Sequence, residues 1–176
     1  EYRDVPLGSH RFEVVAVDSD SSDGTAEFLA ERADRLIRIA REQFNHGATR
    51  NLGIEAARGE RVACLVQDAL PASPRWLAEL VAPLGERVAG AFSRQIPAPG
   101  ASALARHQLA GWVTTSEEPR RVRLAPEAFA SLPPLARLRA CAFDNVSSSL
   151  RREVWRLHPF PETPIAEDIA WGKRVL

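Results

Sequence analysis

The chain has 176 residues, 45% of them hydrophobic and 26% charged, with acidic and basic side chains in equal number and a formal net charge of zero. That suffices for one domain with a real core and is too little for two, so residues 1–176 are read as a single domain. The neutral balance excludes a nucleic-acid partner gripped through a broad basic face, and no apolar run reaches the length of a membrane span.

Residues 1–11 read as an irregular lead-in, with His10 a solvated loop residue. The opening at Glu1, the absence of methionine and the stop at Leu176 read as a sequence truncated at both ends. Residues 12–17 form a near-continuous apolar run that ends on Asp18, as a buried strand would. The turn formers of residues 19–25 follow, and Ala26, Leu29, Ala30 and Ala33 then line one helix face. This puts Asp18 and Ser19 at a sheet edge, beside a helix start whose free N–H groups suit a phosphate or a ribose. Simple capping by Ser22 and Asp23 is the competing account.

A short strand at 36–39 leads to the segment 41–53, and Ala48, Leu52 and Ala56 mark a helix that ends near Gly59. Gathering Asn45, His46, Arg50 and Asn51 at a helix start is costly unless they face solvent or a ligand. Arg50 offers a counter-charge for a phosphate, and Asn51 a hydrogen bond to a base or ribose. His46, without a second histidine nearby, reads as a turn or positioning residue.

Residues 61–67 are the third strand, stopped at Asp68 by Pro71 and Pro74. A helix face of Leu77, Leu80, Val81 and Leu84 follows, then a strand at 88–93 that runs into Arg94. The strict alternation predicts an α/β domain in which 12–18, 36–39, 61–67 and 88–93 share one largely parallel sheet. Asp18 and Asp68 should then emerge at the same carboxyl edge, where such sheets bind ligands. Cys64 and Cys141 fit no metal or disulfide spacing, and Cys64, inside the third strand, reads as a reduced packing residue.

From residue 98 to 138 prolines interrupt the pattern, apart from a helix at 101–113. The arginines at 120, 121 and 123 form a solvated loop or a contact with an anionic acceptor or lipid head group. Residues 142–150 read as a hydroxyl-rich strand, and 152–158 as a helix whose Trp155 and Leu157 pack beneath the site. Glu167 and Asp168 open a last helix. The helix dipole favours acidic residues there, and an aspartate so placed can also serve as a general base.

Six segments, VDSDSSDGT (17–25), FNHGATRNLGIEAARGE (44–60), LVQDALP (65–71), SRQIP (93–97), FDNVSSSLRREVW (143–155) and AEDIAWGKR (166–174), stand in order along nearly the whole chain. Together they resemble the inverting GT-A glycosyltransferases of family 2, and within it the bacterial rhamnosyltransferase-like members. The resemblance implies a mixed, mainly parallel, Rossmann-like sheet flanked by helices. It implies transfer of a sugar, with inversion, from a nucleotide-diphosphate sugar such as dTDP-rhamnose or a UDP-sugar to a saccharide or lipid-linked acceptor. Asp168 would be the catalytic base, with Glu167 beside it. Asp18, Ser19, Asp23, His46, Arg50, Asn51, Gln67 and Arg94 would line the nucleotide-sugar pocket. Asp144, Asn145, Trp171 and Arg174 would face the acceptor. Asp68 would hold a divalent cation, Mg²⁺ or Mn²⁺, with Val66 in the place of the first aspartate of an Asp-x-Asp motif. The implied location is the cytoplasm, with the inner face of the membrane as the place where a lipid-linked acceptor is met. A sugar-phosphate nucleotidyltransferase and a non-catalytic nucleotide-binding fragment are the competing readings, and the first lacks its Gly-rich triphosphate loop here.

Overall fold

Short apolar runs set the strands of the computed structural model, which describes residues 12–176; the lead-in with His10 lies outside the described residues. Val15–Asp18 (β1) pairs in parallel with Arg35–Arg38 (β2), Val15 opposite Arg35 and Asp18 opposite Arg38. The helix between them, Thr25–Arg32 (α1), starts after Gly24, whose φ of +86° is a left-handed conformation that glycine adopts without a Cβ penalty. Next comes His46–Ala56 (α2), capped by the Asn45 side chain, which accepts from the N–H groups of Gly47 and Ala48 at 3.0 Å each. The buried residues of α2 are Gly47 and Ile54, while Leu52 stays 44% exposed, so its inner face is not the one drawn through Ala48, Leu52 and Ala56. A Cβ on Gly47 would lie 2.1 Å from the carbonyl oxygen of Pro161, and that close approach is what turns this face inward.

Arg61–Leu65 (β3), Trp76–Val81 (α3) and Gly90–Phe92 (β4) keep the predicted alternation. Then follow Ala103–Leu109 (α4), a 3-10 turn at Val113–Thr115, Pro126–Ser131 (α5) and Pro134–Ala140 (α6). Ser147–Arg151 (β5), Arg152–Leu157 (α7) and Glu167–Val175 (α8) close the chain. The mixed α/β architecture is as expected, but its strands are not joined in one ladder. β5 lies between β3 and β4, antiparallel to both, with Cys64 opposite Ser148 and Phe92 also opposite Ser148. β1 and β2 form a separate parallel pair.

A strand in this central position is buried on both sides, and β5 carries three serines there. Each hydroxyl therefore needs a partner. Ser147 accepts from the Trp76 indole at 2.8 Å and shares a hydrogen bond with Ser93 at 2.9 Å. Ser148 donates to Asn145 Oδ1 at 2.9 Å, and Ser149 to the carbonyl of Leu80 at 2.7 Å.

Ile54, Phe143, Leu150, Trp155, Phe160 and Trp171 make the core cluster. Trp171 is fully buried, its ring 4.5 Å from that of Phe143 and 5.3 Å from that of Phe160, and its indole N–H donates to His158 O at 2.7 Å. This corrects the acceptor-side role expected of Trp171, because no face of the ring is left for a sugar. Leu157, expected beneath the site, is 77% exposed. Both cysteines are free, and burial pushes both thiols up, in keeping with packing roles. Among the described residues no helix is long and apolar enough to cross a membrane.

Candidate active site

The start of α8 is where the site is built. Ala166, just before it, sits at φ +60° and ψ +32°, a left-handed conformation that costs a residue with a Cβ about 1–2 kcal/mol. That turn delivers Glu167 and Asp168 into the first helical turn, where the dipole favours their charge. Further along α8, Gly172 is pressed against Cys141: an added Cβ would stand 2.1 Å from its carbonyl oxygen.

The loop that precedes this pair is fastened to α2. Asn45 Nδ2 donates to Thr163 O at 3.2 Å. Asn51 Oδ1 accepts from Phe160 N at 3.0 Å and from Trp155 Nε1 at 2.8 Å, and its Nδ2 donates to Phe160 O at 2.9 Å. Arg50 forms an ion pair with Glu167 and also donates to His46 O at 3.1 Å. Both side chains of that pair are largely shielded, 16% and 7% exposed. The fold thus gives Asn51 a task other than the nucleotide contact expected of it, since its amide is taken up by backbone and indole. The charge of Arg50, expected at a phosphate, is spent on Glu167.

Asp168 is half-buried, and its Oδ1 accepts from Ile169 N at 2.7 Å. Burial pushes its carboxyl up; the Ile169 and Asn145 N–H groups pull it down, and the charges of Glu167 and Asp144 raise it further. Asp144 is held in turn by Gln95 Nε2 at 2.6 Å and by Val146 N at 2.9 Å. Three carboxylates with one guanidinium between them are therefore gathered around the α8 start. A half-exposed carboxyl with raised proton affinity in such company suits a general base, whose efficiency improves as its pKa approaches the working pH.

Asn145 is 1% exposed, so its side chain is out of reach of an acceptor, contrary to the acceptor-side role expected of it. Its Oδ1 takes the Ser148 hydroxyl, while its Nδ2 is buried without a hydrogen-bond partner. Arg174 is exposed and donates to Pro159 O at 3.2 Å.

The expected donor residues fall elsewhere. Asp18 is 4% exposed at the end of β1; the Ser21 hydroxyl and N–H hold its carboxyl low, burial opposes them, and Arg38 adds to the lowering. Ser19 is half-buried beside it. Asp23 is exposed and accepts from Thr25 N at 3.1 Å in the turn before α1, whose N-cap is Gly24 rather than Asp23. His46 is exposed, edge-on to Phe44 with ring centres 4.9 Å apart. Gln67 and Asp68 are exposed on the turn after β3, closed by Ala69 N to Val66 O at 3.2 Å. Arg94 is exposed and bound to Glu117 at 2.8 Å and to Thr115 O at 3.2 Å. No hydrogen bond or ion pair among the described residues links Asp18 or Asp68 to the Arg50–Glu167–Asp168 cluster.

Among the described residues no three His, Cys, Asp or Glu side chains converge to hold a metal ion. A lone exposed carboxylate at Asp68 nevertheless fits a hard cation whose remaining ligands are phosphate oxygens and water.

Sequence reasoning missed Gln95 and the Ser93–Ser147–Trp76 chain. Their signal was present: a polar residue two positions past a strand end, and three serines in a run otherwise read as buried strand.

Residues 7–140 match the domain family described as Glycosyl transferase family 2. The O-antigen chain rhamnosyltransferase WbaN of Salmonella anatum is 32% identical over 97 residues, 54% of this chain and 31% of that protein. An uncharacterized protein of Sinorhizobium fredii, y4gI, is 37% identical over 76 residues, 40% of this chain and 8% of that protein. This chain therefore spans a third or less of these relatives. Among solved structures, the mannosyltransferase PcManGT of Pyrobaculum calidifontis, in complex with GDP-Man and Mn²⁺, superposes with a TM-score of 0.57 at 23% identity over 93% of this chain and 42% of its own. That likeness shows the GT-A fold, and the family match over residues 7–140 shows the kinship: the chain belongs to glycosyl transferase family 2.

Proposed function

We propose that this chain carries the catalytic part of an inverting glycosyltransferase, which moves a sugar from a nucleotide-diphosphate sugar to a saccharide or lipid-linked acceptor. The observation that carries the reading is Asp168: a half-buried carboxyl of raised proton affinity beside Glu167 and Asp144 at the start of α8. In a single displacement the acceptor oxygen bonds to the anomeric carbon while the bond from that carbon to the donor diphosphate breaks. The acceptor hydroxyl proton passes to an Asp168 oxygen. Glu167, held by Arg50, fixes the position of Asp168 and adds to its proton affinity through its charge. Asp144, held by Gln95, faces the same carboxyl and is the acceptor-side residue of the reading.

Asp18, with Ser19, would contact the base or ribose of the donor from the end of β1. Asp68 would hold a divalent cation, Mg²⁺ or Mn²⁺, which when bound neutralises charge on the departing diphosphate. The Mn²⁺ and GDP-Man of the mannosyltransferase and the rhamnosyl transfer of WbaN support a metal-dependent hexose donor reaction. A lipid-linked acceptor would place the reaction at the inner face of a membrane.

The test is a donor-by-acceptor screen on the full-length protein that reads the released phosphorus species. Release of a nucleoside diphosphate, dependent on Asp168, is expected. Release of pyrophosphate would make the protein a nucleotidyltransferase, and nucleotide binding without turnover on any acceptor would make it a non-catalytic binding domain.

A further inference from the structure

A cavity of about 400 Å³ is lined by Trp112, Thr115, Ser116, Arg120 and Arg139. Neither Arg120 nor Arg139 has a carboxylate partner among the described residues. Arg120 instead donates to the backbone oxygen of Arg139 at 2.6 Å, which brings two like charges to one opening. Burial and the neighbouring charge of Arg139 both press the proton affinity of Arg120 down, so the pair is held against its own repulsion. Glu117, one residue beyond Ser116, is already engaged by Arg94. Two exposed guanidiniums that line one cavity beside an indole make a site for an anion attached to a less polar body.

The cavity is coupled to the α8 cluster through few bonds. Gln95 N donates to Thr114 O at 2.7 Å and Arg94 Nε to Thr115 O at 3.2 Å, which ties the cavity wall to the end of β4. The side chain of that same Gln95 holds Asp144, whose charge reaches Asp168. We propose that the cavity bounded by Trp112, Arg120 and Arg139 is an acceptor subsite that takes a phosphate ester. The proposal rests on the glycosyltransferase reading above. The phosphate belongs either to a lipid carrier or to a phosphorylated saccharide.

The test titrates the full-length protein with inorganic phosphate, a hexose 1-phosphate and decyl phosphate, following heat of binding. Charge-assisted hydrogen bonds of this type are strong enough that Arg139→Gln and Arg120→Gln should each weaken phosphate-ester binding by at least about tenfold. Arg139→Lys, which keeps the charge, should retain part of it, and Arg156→Gln, at an exposed residue that does not line the cavity, should retain all of it. Tighter binding of decyl phosphate assigns the lipid carrier, and tighter binding of the hexose phosphate assigns the saccharide. Unchanged binding in Arg139→Gln, or an equal loss in Arg156→Gln, overturns the proposal. Nucleoside diphosphate binding and release are measured on the same variants. A parent protein that releases no nucleoside diphosphate yet loses phosphate-ester binding in Arg139→Gln refutes the transferase reading and leaves the anion site standing.

Discussion

The Arg50–Glu167 pair makes a quantitative claim about how the site is held. Its two side chains are 16% and 7% exposed, and they join α2 to α8 across 117 residues of chain. Breaking a buried pair from one side leaves an unpaired charge, at a cost of about 3–5 kcal/mol. Arg50 keeps some access to water, so the lower end, about 3 kcal/mol, is expected for Arg50→Met. With a urea m-value of about 2 kcal/mol/M for a domain of this size, the unfolding midpoint should fall by about 1.5 M. Glu167→Gln should cost less, because the amide oxygen still accepts from Arg50. The double variant should recover most of the Arg50→Met loss, since no charge is then stranded, and the cycle should show a coupling of about 2 kcal/mol. Additive single effects, or a loss below about 1 kcal/mol for Arg50→Met, would class the pair with exposed ion pairs and refute the bracing role.

Asp168→Asn should lower turnover by about 10²–10⁴-fold while donor affinity stays near normal, because the amide cannot take the acceptor proton. Its stability should move the opposite way. The folded carboxyl binds its proton more tightly than the unfolded one, so stability falls as pH rises from the ordinary carboxylate range through the raised folded value; Asp168→Asn should be the more stable protein at neutral pH, and denaturant melts should show the advantage vanish in acid. Gly47→Ala puts a Cβ 2.1 Å from the Pro161 oxygen, backbone against backbone, and should cost about 1–3 kcal/mol in urea melts, with acceptor turnover reduced more than nucleotide binding in parallel assays. Asp68→Asn should weaken metal-dependent nucleotide binding in calorimetry, and binding indifferent to both the substitution and a chelator would return Asp68 to a turn residue.

Much of this was legible in the sequence, and what was not has common causes. The strands that end on Asp18 and shortly before Asp68 were readable because an apolar run that stops at a carboxylate signals both burial and its limit. Strand direction was not, since a strand buried on both faces has the same pattern whether its neighbours run parallel or antiparallel, and β5 could enter between β3 and β4 unannounced. The polar residues 45–51 were rightly judged costly without partners. The partners turned out to be the backbone of Phe160 and Thr163 and the Glu167 side chain, more than a hundred residues away, and spacing within one helix cannot reveal that. Trp171 misled for a related reason: one position beyond the first turn of an acidic helix start, its side chain turns inward to Phe143 and Phe160. The Glu167–Asp168 pair was visible as a pair, but Asp144 and Gln95, which complete its surroundings, meet it only in three dimensions.

The arrangement around α8 also explains how a carboxyl of raised proton affinity can be kept in one place. Three unfavourable features meet there: a left-handed Ala166, neighbouring carboxylates, and partial burial of Asp168. The first alone costs about 1–2 kcal/mol. Such strain persists only where the surrounding structure over-determines the conformation. On one side Asn45, Asn51 and Arg50 reach across from α2 to fix the chain at Thr163, Phe160 and Glu167. On the other, Trp171 is fully buried in the core, where loss of such a side chain costs about 3–5 kcal/mol, and Gly172 lies against Cys141. The helix is thus held from its first and second turns, and the strained residue has nowhere to relax. Asp168 is left half-buried, with two N–H groups to accept and an affinity for the proton that the fold itself raises.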